Sequence, residues 1–400
     1  MSRLYRLLFV LARVFVVLAC LYAVWLSWRS ARADSLFRED SAKSIRSAIR
    51  LENDAWPYYL RLSQVDDIDA SNSLTTAIQF NRFDATAAIE LALRDEANGD
   101  FPNAERLLLL ANEVDHTYEP RWSLANFYLR RGDEDAFWRW SQRAADTEPE
   151  DPNAFFEVTS RVSTDTDELE ERILRHNPVL TRKFVSFLLG RGQVVQAGHI
   201  STDLLRIGKL DEDRPLLLSL VDALVDANQP QAANTLWQQM IASHWIDGST
   251  VPINPDFTKE PMQTHFDWNI KSYDGLHSWT GPDGLQAEFT GDEPEACVIA
   301  EQTVLLTPGV YSFQYTYRSS DIPIQSGVKW EILKSQSDEV LASSSDLSSE
   351  KVAKGEISFP ALPDTPLLRV RLAYRRAPGT VRITGTVMVL STKIQKVPQT

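Results

Sequence analysis

Cysteine is scarce in this sequence, and the scarcity argues against two ways of holding a fold together. Cys20 and Cys297 are the two cysteines among 400 residues. Cys20 lies inside an apolar run, so we do not expect a disulfide between them. No histidine lies close to either in sequence, and two cysteines alone do not complete a zinc site. At 400 residues the chain is long enough for two or three domains. Its 43% hydrophobic residues can give each domain a sizeable core.

The motifs of common catalytic and nucleotide-binding sites are missing as well. The chain has no G-x-S-x-G, H-E-x-x-H or glycine-rich nucleotide fingerprint. Gly190 and Gly192 belong to "GRG", which indicates a helix C-cap and turn. His265 and Asp267 flank Phe266, an arrangement that is common on protein surfaces. We therefore expect no enzymatic activity, no cofactor, and no catalytic or metal-binding residue.

Positive charge is in deficit. The chain carries 41 lysines and arginines against 55 acidic residues, a net charge of -14. Phosphate binding needs a basic stripe, so we do not expect nucleic acid as the main partner.

The sequence has one long hydrophobic run, from Leu7 to Trp28, interrupted by Arg13. At 1.5 Å per residue, a helix of this length covers the hydrocarbon core of a bilayer. A retained anchor explains the full apolar length. A signal cleaved after Ala33 is the main alternative, and a lipoprotein box ending at Cys20 is the poorest match.

The basic residues around this run do not agree on its orientation. Arg3 and Arg6 favour a cytoplasmic N-terminus, whereas five basic residues on the other side oppose it: Arg29, Arg32, Arg38, Lys43 and Arg46. The run has the layout of an export signal. We therefore expect a single-pass protein of the bacterial inner membrane with its C-terminal bulk in the periplasm.

The next two hundred residues show a repeat of alanines. Ala48, Ala77, Ala111 and Ala144 are separated by 29, 34 and 33 residues. A period near 34 is typical of tetratricopeptide repeats, in which paired antiparallel helices stack into a solenoid. Two copies, "IELALRDEANGDFPNAERLLLLANEVD" and "WSLANFYLRRGDEDAFWRWSQRAADTEPED", resemble that family over about 110 residues. They depart from its pattern at Arg121 and His116, and Pro149 is expected to end the second copy.

The helical pattern continues less regularly to residue 245. Amphipathic segments separated by turn residues predict a degenerate continuation of the solenoid. The aromatic cluster Phe137, Trp138 and Trp140 is expected in the solenoid core.

A strand pattern replaces the helical one after Asn254. "VYSFQYTYRS", "LRVRLAYRR" and "VRITGTVMV" alternate apolar and polar residues, as half-buried antiparallel strands do. "NPDF", Trp268 and "LTPGVYSFQYTYRS" together resemble the entry of jelly-roll carbohydrate-binding modules, although Thr258 stands where that family has a glutamate. The resemblance implies that Phe257 and Trp268 are core residues.

The predicted fold class is therefore α followed by β. We expect a transmembrane anchor or signal segment (1–33), a tetratricopeptide-like α-solenoid (35–245), a linker (246–253), a jelly-roll-like antiparallel β-sandwich (254–391) and a tail (392–400).

A glycan site would combine exposed aromatic rings with hydrogen-bonding side chains on the polar strand faces. The candidates are Tyr273, Trp279, Gln314, Arg318, Glu331, Arg369, Arg371 and Arg382. The simpler interpretation is a solvated sheet face whose arginines pair with Glu331 and neighbouring acids.

The whole arrangement resembles bacterial tetratricopeptide proteins of the cell envelope, some of which are associated with surface-polysaccharide production. That resemblance implies a non-catalytic scaffold or adaptor that binds a protein partner, as yet unidentified, through the solenoid. A glycan-binding module displayed on a helical stalk, with a polysaccharide as partner, is the alternative. A carbohydrate-active enzyme is the third interpretation.

Overall fold

The computed structural model describes residues 2–147, 152–175, 177–248, 250–337, 339–363 and 366–398. The chain divides into two compact units between Phe155 and Phe156. They are called the N-terminal and C-terminal units below, and each is described by itself. The expectation that Pro149 ends a repeat falls outside the described residues.

Eight α-helices lie in the described part of the N-terminal unit before residue 147. They are α1 (Ser2–Phe37), α2 (Ala42–Leu51), α3 (Trp56–Val65), α4 (Ala70–Phe80), α5 (Ala85–Ala97), α6 (Phe101–Val114), α7 (Tyr118–Arg131) and α8 (Glu134–Ala145). Each helix packs on the next along the chain. Short connections between them make antiparallel hairpins, as the repeat pattern predicted.

Aspartates start several of these helices. Asp84, Asp100 and Asp133 each accept a hydrogen bond from a backbone N–H of the first turn that has no partner within the helix. Gly132 ends α7 with a φ of 74°, a conformation that glycine adopts at little cost.

Small and aromatic residues fill the interior of the N-terminal unit as expected. The four periodic alanines, Ala48, Ala77, Ala111 and Ala144, are all buried, which allows neighbouring helices to approach closely. The cluster Phe137, Trp138 and Trp140 is buried as well. Its assignment to the solenoid core is confirmed.

The apolar run lies in α1. A 30-residue stretch, Leu8–Phe37, is long and apolar enough to cross a membrane. Apart from the half-buried Leu26, its large apolar side chains between Leu8 and Trp28 are exposed in the protein, as membrane-facing side chains would be.

The remaining helices lead into the sandwich. They are α9 (Pro152–Val162), α10 (Thr166–Leu169) with a π-helical turn (Glu170–Leu174), α11 (Pro178–Gly190), α12 (Val194–Ile207), α13 (Leu210–Asp226) and α14 (Pro230–Ala242). The "GRG" sequence ends α11 and turns the chain, with Gly192 at a φ of 71°, as predicted.

Ten strands follow in the described residues. They are β1 (Asn269–Ile270), β2 (Leu276–Gly281), β3 (Gly284–Thr290), β4 (Ala296–Leu305), β5 (Gly309–Ser320), β6 (Val328–Lys334), β7 (Val340–Ser343), β8 (Ala353–Ala361), β9 (Leu367–Arg375) and β10 (Thr384–Lys396). The first sheet has the order β1-β4-β9-β6-β7 and the second β2-β3-β10-β5-β8. The described pairings are antiparallel, and the two inner faces form one core. This is the jelly-roll-like sandwich predicted from the alternating segments.

Phe257 and Trp268 lie in that core, which confirms their expected role. Both are fully buried, with ring centroids 4.7 Å apart. Trp268 also lies 5.9 Å from the ring of Trp330. Its indole N–H donates to the carbonyl of Asn254 at 3.1 Å, so the start of the segment is fixed to the core.

Two local expectations were wrong. "VRITGTVMV" was expected to be a strand throughout, but β10 begins at Thr384. The preceding N–H, on Ile383, donates to the carboxylate of Glu293 instead of a neighbouring strand. Asp267 was expected at the surface, but it is buried and accepts hydrogen bonds from the backbone N–H groups of Met262 and Trp268.

Candidate functional site

The residues expected to form one glycan site lie on both sheets of the sandwich. Trp279, Gln314 and Arg318 belong to β2 and β5 of the second sheet, whereas Glu331 belongs to β6 of the first, as do Arg369 and Arg371 of β9. The sheets share their inner faces, so their outer faces point away from each other. These residues therefore do not form a single site.

The charged residues of the first sheet form a ladder of ion pairs. Arg371 stands opposite Glu301 on one side and Glu331 on the other. Its guanidinium donates to Glu331 at 2.8 Å, and both side chains are buried. Lys271 pairs with Glu301 at 2.8 Å. Arg369 donates to the carbonyl of Ser337 at 3.0 Å. Glu331, Arg369 and Arg371 are therefore engaged with neighbouring groups of the protein.

The second sheet presents a different set of side chains on its outer face. Trp279, Gln286, Met388 and Arg318 stand directly opposite one another across β2, β3, β10 and β5. With strands about 4.8 Å apart, the row is roughly 14 Å long. Trp279 is 41% exposed, and Arg318 contacts the sulfur of Met388 at 3.3 Å. We call these four residues the tryptophan row.

Polar side chains border the tryptophan row. The next row toward one end holds His277, Glu288, Thr386 and Ser320 in register. Toward the other end of β5, Gln314 is half-buried between Lys393 of β10 and Glu356 of β8. An exposed indole with amide, guanidinium, imidazole and carboxylate groups around it can stack on a sugar ring and bond its hydroxyls.

The other two candidates are placed differently. Tyr273 is half-buried and packs against the sandwich core, and its backbone pairs with that of Leu276. Arg382 is exposed in the loop before β10. Neither is in the register of the tryptophan row.

Gln286, Met388 and Glu288 were missed by reasoning from the sequence. "GLQAEFT" of β3 does alternate, with Leu285, Ala287 and Phe289 in the core. That alternation could have placed Gln286 and Glu288 on the outer face. Their position beside Trp279 depends on pairing between strands, which one strand's pattern does not show.

Two aspartates of α13, Asp222 and Asp226, contact His265 at the start of the sandwich. The backbone N–H of His265 donates to Asp222 at 2.8 Å, and the His265 ring lies 3.0 Å from Asp226. Burial raises the pKa of the Asp222 carboxyl. The ring of Trp237 on α14 lies 5.5 Å from Phe266. These contacts hold α13 and α14 against the start of the sandwich.

Among the described residues, Asp167, Glu170 and His199 could bring three metal-ligand atoms together. Asp167 and His199 are exposed, and the imidazole already lies 2.6 Å from the Asp167 carboxylate. We assign no metal to this cluster.

No protein-family model matches the chain, and no curated protein matches it. Similar solved structures include helical-repeat proteins and a carbohydrate-binding module. Among helical-repeat proteins, PilF of Pseudomonas aeruginosa is 16% identical over 48% of this chain and 92% of its own, with a TM-score of 0.27. PilW, described as a type IV pilus biogenesis factor, is 13% identical over 54% of this chain and 92% of its own, also at 0.27. The carbohydrate-binding module TmCBM61, solved with β-1,4-galactotriose, is 12% identical over 32% of this chain and 88% of its own, at 0.23.

Proposed function

We propose that this protein is a non-catalytic scaffold or adaptor of the bacterial cell envelope. In this proposal α1 anchors it in the inner membrane, with the C-terminal bulk in the periplasm. The helical hairpins of the N-terminal unit bind a protein partner. The observation that carries the proposal is a groove along α6.

The groove has a volume of about 390 Å³ and combines apolar and charged side chains. Leu109, which lines it, is 37% exposed. The other lining residues are Pro102, Glu105, Arg106, Leu110 and Glu113. Exposed apolar surface bordered by charges is the usual anatomy of a protein interface. A partner that fills the groove would bury Leu109, which water now contacts.

Affinity purification from membranes tests the groove. Leu109→Asp places a charge where the partner's apolar side chain would pack, so we expect the partner to be lost. Leu93→Asp is the matched control, because Leu93 is an exposed leucine on α5 that does not line the groove. Equal recovery of partner with wild type and both variants would show that the groove is not the binding surface.

A second candidate function is glycan binding by the sandwich, linked to surface-polysaccharide production. The tryptophan row favours it, because Trp279 exposes an indole next to Gln286, and Arg318 lies at the far end of the same row on the same sheet face. The face of a pyranose ring stacks on an aromatic ring, and its hydroxyl groups form hydrogen bonds with side chains of these types.

Retention on immobilised polysaccharides, including the host's own surface polymer, tests this candidate. We expect Trp279→Ala to abolish retention and Trp279→Phe to preserve it, since phenylalanine keeps a stacking face. Ile324→Ala removes another exposed, large apolar side chain outside the tryptophan row and serves as control. If Trp279→Ala is retained as well as wild type, the tryptophan row is not a glycan site.

A further inference from the structure

We infer that two hairpin turns of the N-terminal unit rest in the lipid headgroup layer beside α1 and insert Phe80 and Phe83 into the membrane interface. The inference rests on the membrane anchor proposed above. It adds a second, peripheral contact between this protein and the bilayer.

The first turn is placed by its contacts with α1. The apolar run ends at Trp28, and Ser30 lies about 3 Å further along the helix axis. The Ser30 hydroxyl donates to the carboxylate of Glu52, which directly follows α2. About one helical turn further along α1, Asp34 accepts a hydrogen bond from the hydroxyl of Tyr58 at 2.7 Å. The α2–α3 turn, residues 52–55, therefore lies level with the point where α1 leaves the hydrocarbon.

The second turn lies beside the first. Because successive helices run in opposite directions, the α2–α3 and α4–α5 turns are at the same end of the hairpins. Tyr59 links them: its hydroxyl donates to the carbonyl of Asn53 at 2.9 Å, and its ring stacks on Phe80 with centroids 5.7 Å apart. The α4–α5 turn, residues 81–84, thus faces the same side as the end of the membrane-spanning run.

This second turn carries unusual side chains for a water-exposed loop. Phe80 is 48% exposed and Phe83 is 69% exposed. The guanidinium of Arg82 lies 4.9 Å from the centre of the Phe83 ring. Aromatic rings are favoured at the membrane interface, and arginine binds phosphate oxygens with several donors. Phospholipid therefore matches the turn in both its apolar and its charged parts.

The opposite end of the same hairpins has a different chemistry. The α3–α4 turn there exposes one large apolar side chain, Ile68, which is 98% exposed. Asp67 and Asp69 flank it. Acidic side chains, Glu52 and Asp54, also lie in the 52–55 turn at the membrane end. What distinguishes the Phe83 end is therefore its pair of exposed aromatic rings beside Arg82.

The test uses the full chain in nanodiscs of phosphatidylcholine and phosphatidylglycerol, with a polarity-sensitive fluorophore on Phe83→Cys. Ile68→Cys is the matched control at the far end. Cys20 is replaced by alanine. Cys297 stays, because burial raises the pKa of its thiol to about 11 and keeps it unreactive. Phe83 and Ile68 are exposed, so both substitutions leave the core intact.

We expect lipids carrying a quencher to reduce the fluorescence at position 83, and aqueous iodide to leave it unchanged. The label at position 68 should show the reverse. Iodide quenching at 83 as strong as at 68 would overturn the inference. So would shielding of 83 from both quenchers, since a protein partner or second copy would then cover the turn. Lipid quenching at both positions would contradict the inference that only the Phe83 end of the hairpins contacts the bilayer.

Flotation of the same samples with lipid separates this inference from the anchor. If the protein floats but position 83 behaves like position 68, the peripheral contact fails and the anchor stands. If the protein does not associate with lipid at all, both fail.

Discussion

At the scale of single residues, alanine decides how closely the helices of the N-terminal unit approach. Ala111 and Ala144 are fully buried. A leucine at either position would force neighbouring helices apart, so we expect Ala111→Leu and Ala144→Leu each to cost about 1–3 kcal/mol of unfolding free energy. Ala97→Leu is the control, because Ala97 is exposed at the end of α5. Unchanged melting temperatures for both core variants would contradict the repeat register.

Two tryptophans of the sandwich should respond oppositely to truncation. Trp268 is fully buried against Phe257 and Trp330, so Trp268→Ala should cost about 3–5 kcal/mol and unfold or destabilise the strands. The helical signal in far-ultraviolet circular dichroism should persist. Trp279→Ala should leave the melting temperature nearly unchanged, because that indole is partly in water. A Trp268→Ala variant that folds normally and loses retention on polysaccharide would reverse the two roles.

The sequence predicts whether a side chain faces the core or the outer surface where apolar and polar residues alternate along a single strand. The inward positions Phe313 and Tyr315 were visible in this way, as was the outward position of Arg318. Alternation does not tell to which sheet a strand belongs. Arg318 and Arg371 therefore looked equivalent in sequence, although Arg318 belongs to the tryptophan row and Arg371 is buried against Glu331.

At the scale of elements, α1 joins the apolar run to the first hairpin. Ala33 is fully buried in a cluster with Ile45, Ala48, Tyr58 and Leu62. The alternative cleavage point after Ala33 would cut α1 inside this packed region. Small residues such as Ala31 and Ala33 occur both at signal-peptidase sites and where helices pack closely. The sequence alone therefore did not decide between a cleaved signal and a retained anchor. The packing favours a retained anchor.

The segment between α14 and the sandwich should make stability depend on pH. Burial raises the pKa of the Asp267 carboxyl, although hydrogen bonds from Met262 and Trp268 oppose the shift. A raised pKa means that the folded state binds the proton more tightly. The stability it contributes is therefore present below about pH 4 and is lost as the pH rises through the folded pKa.

We expect Asp267→Asn to make the unfolding free energy depend less on pH above about pH 4. Urea unfolding at a series of pH values measures this. Some dependence should remain, because burial also raises the pKa of Asp222. Asp256→Asn, an exposed position in the same segment, is the control. A pH dependence that is as steep in Asp267→Asn as in wild type would refute the assignment.

At the scale of the whole molecule, the order of the parts could be predicted from the sequence. A long apolar run, a 34-residue period and a change to period two each follow from local residue spacing. The packing of α13 and α14 on the start of the sandwich could not, because it depends on contacts between distant residues such as Asp222 and His265. The domain boundaries expected at residues 245 and 254 stay a prediction, and the compact units divide at Phe155 and Phe156.

In the proposed function α1 holds the scaffold permanently at the membrane, and the inferred lipid contact depends on that anchor. The most direct test is the intact mass of the native protein in the membrane fraction, with sequencing of its N-terminus. We predict a chain that sediments with membranes and retains residues 7–33. A mature protein beginning at Asp34 and recovered in the soluble fraction would contradict the claim.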